Sequence, residues 1–349
     1  MTRPFVILSA LMLAVVTACV AVIREQHTTH SAVSGAGELL FPGLGAEVAN
    51  ITALEVHRAD GQFTLSRTPQ GWVNLGLGGY PALGERADTT VAALAALSRV
   101  APRTSRSRLH SKLGVEAVAP TAKSTRLVAK LRDGTSMADI IVGVGQRAGA
   151  GRRRAGVYVR SVGAPTAWLA DGSLDVHYGA IDWSDRRLVD IEPAAVLAMT
   201  IMHADGDRIA LGGRNSLNDE LTLVSLPPAT PVRNRYQIKY LAGMFEDLEM
   251  ASARPRSSNE PRVVAIASVI SQRGLQVTLQ QLADDSHNDM PKQLWVTLTA
   301  QAAAGARLAA DDAANLSRLQ QRFAGWEFML SRAVNERLKI RLAEIIGSN

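Results

Sequence analysis

The chain holds a single cysteine, Cys19, in 349 residues. One thiol rules out a disulfide framework and a thiolate metal cluster, and its position inside an apolar run leaves no cysteine nucleophile for the folded part. The lack of disulfides does not fix a compartment. No glycine-rich Lys loop of the ATP-binding type occurs, so any energy supply would come from a partner. The seven histidines are scattered. They form no His-Glu-x-x-His pair, and no glycine-flanked serine elbow with a placed partner accompanies them, so neither the zinc-protease nor the α/β-hydrolase pattern is present.

What is present suits a folded chain. A hydrophobic content of 47% and a charged content of 20% can bury a full core, and the length allows about two domains. The net charge of +6 fits a nucleic-acid binder, an anionic membrane surface, or a solubility device. The first segment bears on that choice. Pro4 to Ile23, PFVILSALMLAVVTACVAVI, carries no charge, and about twenty helical residues span a hydrocarbon core of about 30 Å. The expected reading is an uncleaved N-terminal transmembrane helix, residues 1–24, with the bulk of the chain extracytoplasmic. Val16-Thr17-Ala18-Cys19 also resembles a lipoprotein cleavage box, which would leave Cys19 acylated, and a buried core helix is a third reading. Charge around the span is nearly silent on orientation. An extracytoplasmic body puts the basic residues on the wrong side of the membrane for nucleic acid. Residues 25–38 read as a polar tether, in which His27 and His30 are solvated rather than metal-bound.

The folded part reads as a duplicated plan. Ile51 to Arg67 makes two alternating runs about Ala59-Asp60-Gly61, with Leu54, Val56, Phe63 and Leu65 on one face. Val196 to Leu211 repeats it about Ala204-Asp205-Gly206. Asp-Gly corners of this kind are turns with a mechanism, since glycine accepts positive φ. Gly71-Trp72-Val73 continues the first hairpin with Trp72 in the core. Ala87 to Val100 is expected to be a helix capped by Asp88, striped by Val91, Leu94, Leu97 and Val100, and ended by Pro102. Ser124 to Leu131 and Met137 to Val144 form another hairpin, and Val157 to Val162 and Thr166 to Ala170 are strands. In the second half, Leu221 to Leu226 reads as a strand stopped by Pro227-Pro228, and Tyr236 to Leu248 as a helix. Ser252 to Pro261 reads as a polar loop, Val263 to Ile270, Leu275 to Leu282 and Leu294 to Thr299 as strands, and Asp311 to Phe323 and Val334 to Ile346 as closing helices.

Four stretches invite chemical readings. Arg103 to Lys112 is basic and could meet phospholipid head groups or an acidic partner, although charge runs are mostly solvated faces. Gly143 to Gly156, with Arg152, Arg153 and Arg154, is glycine-rich but runs into a strand, whereas a dinucleotide fingerprint needs a helix there. Asp182-Trp183-Ser184-Asp185-Arg186-Arg187 pairs two carboxylates beside a tryptophan, as acid-base chemistry on a sugar would require, but its arginines could equally neutralise them in a connector that packs Trp183 into a groove between the modules. Asp284, Asp285, His287 and Asp289 crowd one loop without the spacing or closing Glu of a calcium loop.

These landmarks, in order, resemble a known family. The apolar span is followed by Leu40 to Leu44, Gly71-Trp72, Tyr80-Pro81, Leu113-Gly114-Val115-Glu116, Val142-Gly143, Val157-Tyr158-Val159-Arg160 and Trp183-Ser184-Asp185-Arg186. Later come Phe245-Glu246-Asp247-Leu248, Gly274-Leu275-Gln276-Val277 and Gly325-Trp326-Glu327-Phe328. The succession is similar to domain of unknown function family 4340, with a more basic glycine tip. The resemblance implies a membrane-anchored extracytoplasmic protein found alongside exporters of the ATP-binding-cassette class. It carries over no catalytic, cofactor or metal residue. The expectation is therefore an α+β chain: the anchor, the tether, and two related modules of mainly antiparallel strands with packed helices at 39–187 and 188–349. Its expected role is that of a noncatalytic accessory protein for a transporter permease or other envelope protein, with the small-molecule ligand unknown. An envelope hydrolase or sugar-active enzyme using Asp182 and Asp185 is one alternative, and a binder of anionic lipid or polymer is another.

Overall fold

The computed structural model describes residues 36–146, 156–213, 220–224, 226, 232–258, 261–283 and 294–346. The expected anchor with Cys19, His27 and His30, Arg152 to Arg154, Pro227-Pro228 and the Asp284 to Asp289 loop lie outside the described residues. Among the described residues no helix is long and apolar enough to cross a membrane.

The chain divides into two compact units. The first comprises the residues up to Arg67 together with Glu85–His177, and the second comprises Thr68–Gly84 together with everything from Tyr178 onward. The connector residues 178–187, read with the first module in the sequence, thus group with the second unit.

In the first unit β1 (Ile51–Arg58) and β2 (Gly61–Thr68) form the expected hairpin. Its register sets Leu54 opposite Leu65 and Val56 opposite Phe63, and all four are buried. The chain then contributes β3 (Gly71–Asn74) and β4 (Tyr80–Pro81), an antiparallel pair, to the second unit. Trp72 is buried there as expected. Helix α1 (Gly84–Ala96) follows, burying Ala87, Thr90, Val91 and Leu94 at the spacing of one helical face. It starts before Asp88, so Asp88 does not cap it and pairs instead with Arg67. It also stops short of Val100, which is exposed in β5 (Ser98–Thr104). Pro102 does not end the helix. It lies opposite Trp168 in β5, the outermost strand of the sheet, where a residue without an N–H is tolerated. Strands β6 (Thr125–Leu131), β7 (Ser136–Gln146), β8 (Gly156–Ser161) and β9 (Ala167–Asp171) complete this unit. Its strands run in the order β2-β1-β6-β7-β8-β9-β5, every pair antiparallel.

The second unit is built from β10 (Arg187–Val189), β11 (Val196–His203), β12 (Arg208–Gly212), β13 (Thr222–Leu223), α2 (Arg235–Ala242), β14 (Leu248–Pro255), β15 (Val263–Ser271), β16 (Leu275–Leu282), β17 (Trp295–Ala302), α3 (Ala310–Phe323), β18 (Trp326–Leu330), α4 (Arg332–Lys339) and α5 (Leu342–Ile346). Its sheet runs β10-β14-β18-β17-β16-β15-β11-β12-β13. Set β11 against β1, β12 against β2, β15 to β18 against β6 to β9, and β14 against β5, and the strand order is the same in both units. The duplicated hairpin is therefore the visible part of a duplicated sheet. The repeat is not strict, because α3 stands between β17 and β18 where the first unit has a turn at Gly163 between β8 and β9.

Several expectations in this half need correction. The helix read to Leu248 ends at Ala242, passes through a 3-10 turn at Gly243–Phe245, and reverses at Asp247, whose φ is 43°. Leu248 then opens β14, which takes in Ser252 to Pro255, the first part of the expected polar loop. β18 lies where no strand was read, and the last helix is divided in two around Ile340. Among its described residues, the stretch read as a strand over Leu221 to Leu226 is regular only at Thr222–Leu223. In each case tertiary burial overrides local periodicity: Leu248, Met250, Phe328, Leu330 and Ile340 are all buried in one continuous core. Leu77 and Tyr80 from the 68–84 segment belong to the same core.

Candidate functional site

The Asp182 to Arg187 connector lies in the second unit, and the structure separates its two acids. Asp182 sits in the 3-10 turn Ala180–Trp183. One carboxylate oxygen accepts the Gly179 amide at 3.2 Å and the other accepts Arg186 Nη1 at 3.1 Å. Arg186 also reaches Glu249 at 3.1 Å. Asp185 faces another partner: Arg322 Nη1 donates to it at 2.7 Å, and the Arg187 amide donates at 3.1 Å. Arg322 completes its fork by donating from Nε to the Tyr80 hydroxyl at 3.2 Å. Asp185, Asn315, Arg318 and Arg322 line a cavity of about 260 Å³ whose lining does not include Asp182. Between them, Trp183 is fully buried, and its carbonyl accepts the Leu83 amide at 2.7 Å.

Electrostatics point the same way. Burial pushes the Asp185 carboxyl up, but the Arg322 hydrogen bond and charge, the Arg187 amide and the Arg318 charge together outweigh it and hold it below the ordinary carboxylate value. A general acid at neutral pH needs the opposite shift. Burial raises the Tyr80 hydroxyl, partly offset by Arg322. Burial also pulls the Arg322 guanidinium down, and its bond to Asp185 together with the charges of Tyr80 and Asp185 and the Tyr80 bond more than restores it. This is a braced ion pair with a tyrosine on its flank.

The described histidines are likewise engaged. His110 meets the Pro165 carbonyl at 2.9 Å, His203 the Ile340 carbonyl at 3.1 Å, and His177 both the Gly143 carbonyl at 3.0 Å and Thr125 at 3.1 Å. Among the described residues no group of three or more His, Cys, Asp or Glu is placed to hold a metal. The basic stretch becomes the end of β5 followed by two short helical turns, Ser107–Leu109 and His110–Leu113. His110 is buried in it, while Arg103, Arg106, Arg108 and Lys112 stay exposed. Gly143, singled out for its place in the glycine-rich run, is needed for packing: a Cβ there would strike the Leu113 carbonyl and approach Val115 Cγ1 to 2.7 Å.

Sequence reasoning missed one open groove. A groove of about 770 Å³ opens between β13 and α2. Leu221, Leu223, Val232, Ile238, Ala242 and Pro193 supply most of its wall, with Glu220, Arg235 and Lys239 along the charged side. Glu220 and Lys239 approach to 3.8 Å. Tyr236 stands at the groove 72% exposed, and its ring stacks on Tyr240 at 6.2 Å and 11°. Arg337 covers Tyr240 at 4.7 Å from the ring centre. The volume falls within the range of about 300–1,000 Å³ typical of small-molecule sites. A signal existed in the sequence: an apolar helix stripe interrupted on its outer side by two tyrosines and two cations. Periodicity alone reports that a helix has an inner face and says nothing of what lies beside it.

Residues 72–263 match the family model described as Domain of unknown function (DUF4340). The chain belongs to this family. The match covers more than half of the chain and takes in the Asp182 to Arg187 connector, β13 and α2. No curated protein and no solved structure matches the chain. Within this DUF4340 chain the Asp182 to Arg187 connector and the open groove both lie in the part that the family model covers, whereas Arg322, which braces Asp185, lies beyond it.

Proposed function

We propose that this DUF4340 protein is a noncatalytic accessory protein, anchored through residues 4–23, whose duplicated body stands outside the cytoplasm and binds an envelope protein such as the permease of an ATP-binding-cassette exporter. The observation that carries this reading is the state of Asp185. The acid best placed beside a cavity is held ionised by Arg322 at 2.7 Å, so it braces the fold and is a poor proton donor. The uncharged run Pro4 to Ile23 supports the anchor, because its length matches a hydrocarbon core. The two sheets of equal strand order supply broad surfaces of the kind that association uses.

The test is affinity capture of the full-length protein from detergent-solubilised membranes, with captured proteins identified by mass spectrometry. A permease should be enriched over a control in which residues 4–23 are replaced by an unrelated membrane span. Recovery of the bait alone counts against the reading. A second reading, binding of anionic lipid or polymer, is favoured by exposed Arg103, Arg106, Arg108 and Lys112. It predicts salt-sensitive binding to phosphatidylglycerol vesicles that falls when these four are changed to glutamine.

A further inference from the structure

We infer that the groove between β13 and α2 is a binding site for an anionic amphiphile, a long-chain carboxylate whose hydrocarbon lies along α2 and whose head meets Arg235. This goes beyond the accessory role, and neither depends on the other. The wall is apolar where it faces the sheet, with Leu221, Leu223, Ile238 and Ala242. Water held against such a surface is released when a hydrocarbon replaces it. α2 is eight residues long, so the groove offers an apolar track of about 12 Å along the helix.

Charge selects the head group. A helix amino end carries partial positive charge and is ordinarily matched by an acid in its first turn. α2 has no acid there, its cap residue Asn234 makes no side-chain capping bond, and its first residue is Arg235. Arg233 precedes it. Lys239 lies near Glu220 at 3.8 Å, whereas Arg235 has no carboxylate partner among the described residues. Among the described residues the amino end of α2 is thus a site of uncompensated positive charge at the edge of an apolar groove. An anion tethered to a hydrocarbon satisfies both features at once, since the guanidinium fork and the exposed amino end can donate to a carboxylate. A neutral hydrocarbon would leave the cation unpaired, and a small hydrophilic anion would leave the apolar wall wet.

The test uses the full chain in phosphatidylcholine nanodiscs and a diazirine-bearing palmitic acid as probe, with photo-adducts mapped by peptide mass spectrometry. Adducts should saturate and concentrate within residues 220–242. Palmitate should compete about tenfold better than methyl palmitate, the difference of one charge-assisted contact. Thr222→Trp and Ala194→Trp, both at exposed lining positions, should fill the groove and reduce labelling severalfold. Arg235→Glu should abolish the preference for the free acid. Hydrogen-exchange protection of β11 and β12 checks that the variants fold, and Arg235→Glu at an exposed site keeps the test open if a tryptophan variant does not. Unsaturable labelling scattered over the surface, labelling confined to residues 4–23, or equal competition by ester and acid would overturn the inference. So would a co-purifying protein that crosslinks to α2 and shields it from the probe.

Discussion

Tyr80 offers the sharpest test of how this chain is assembled. It lies in the 68–84 segment, between parts of the first unit in sequence, yet its ring packs edge-on against Trp326 at 4.9 Å and Phe328 at 5.9 Å. It is 3% exposed, and its hydroxyl accepts from Arg322 at 3.2 Å. Removing a buried aromatic ring costs about 3–5 kcal/mol, of which each edge-on pair accounts for about 0.5–1.5 kcal/mol. The hydroxyl is separable. Tyr80→Phe keeps both ring contacts, and Arg322 keeps Asp185, so its cost should be only about 1 kcal/mol. Tyr80→Ala should then cost about 4 kcal/mol, a large share of a typical total of about 5–15 kcal/mol. Native-state hydrogen exchange localises the effect. Amides of β14 and β18 that exchange by opening of the second unit should exchange about 1,000-fold faster in Tyr80→Ala, at about 1.4 kcal/mol per decade, while β1 and β6 keep their protection. A cost below about 1 kcal/mol, or loss of protection centred on β1 and β6, would refute the assignment of residues 68–84 to the second unit's core.

Further expectations follow from individual side chains. The raised Tyr80 pKa means that the unfolded chain releases this proton first. Its contribution is therefore intact below about pH 10 and is lost as pH rises through the folded value, so the stability gap between wild type and Tyr80→Phe should narrow in alkaline urea titrations. Asp185 has the opposite sign: its lowered pKa contributes above the unfolded value and is lost as pH falls below about 4, so Asp185→Asn should differ from wild type at pH 7 and converge with it in acid. Glu327 is fully buried, bound by Arg254 at 2.7 Å and by the Ser257 amide at 3.1 Å, with Arg254 lying over Trp295 at 4.0 Å. Glu327→Ala should cost about 3 kcal/mol, the low end for breaking a buried pair because Arg254 can turn to water, and Glu327→Gln should recover part of the lost melting temperature. Gly143→Ala should destabilise the first unit by at least about 2 kcal/mol through its collision with the Leu113–Val115 backbone and side chain, measured by urea unfolding.

Much of the architecture was legible in the chain because strand alternation is a local property. Leu54, Val56, Phe63 and Leu65 announce a buried face two residues at a time, and Asp60-Gly61 states where the chain turns. The same signs at Val196 to Leu211 revealed the duplication. β14 and β18 were hidden for the converse reason. Ser252 to Pro255 is polar enough to pass for a loop, and Trp326 to Leu330 is short. Each becomes a strand because its neighbours in space complete its hydrogen bonds and cover its apolar side. The candidate carboxylates Asp182 and Asp185 were easily picked out as a pair, but their separation depends on Arg186 at one and Arg322, 137 residues away, at the other. The groove left only two tyrosines and two cations on the outer side of the α2 stripe as a local mark, since its walls are a sheet edge and a helix that meet only in the fold.

By itself the amino-acid sequence determined the class of this DUF4340 protein: an α+β body with a duplicated hairpin plan, preceded by one uncharged run long enough for a bilayer. Those features follow from nearest-neighbour periodicity, which needs no knowledge of distant contacts. Only the tertiary structure decided that residues 68–84 complete the second unit's core, that Asp185 is tied to Arg322, and that an apolar groove ends in an arginine without a carboxylate partner among the described residues. Each of these depends on side chains far apart in the chain meeting at a few ångströms, and burial and charge pairing at that range are set by the fold.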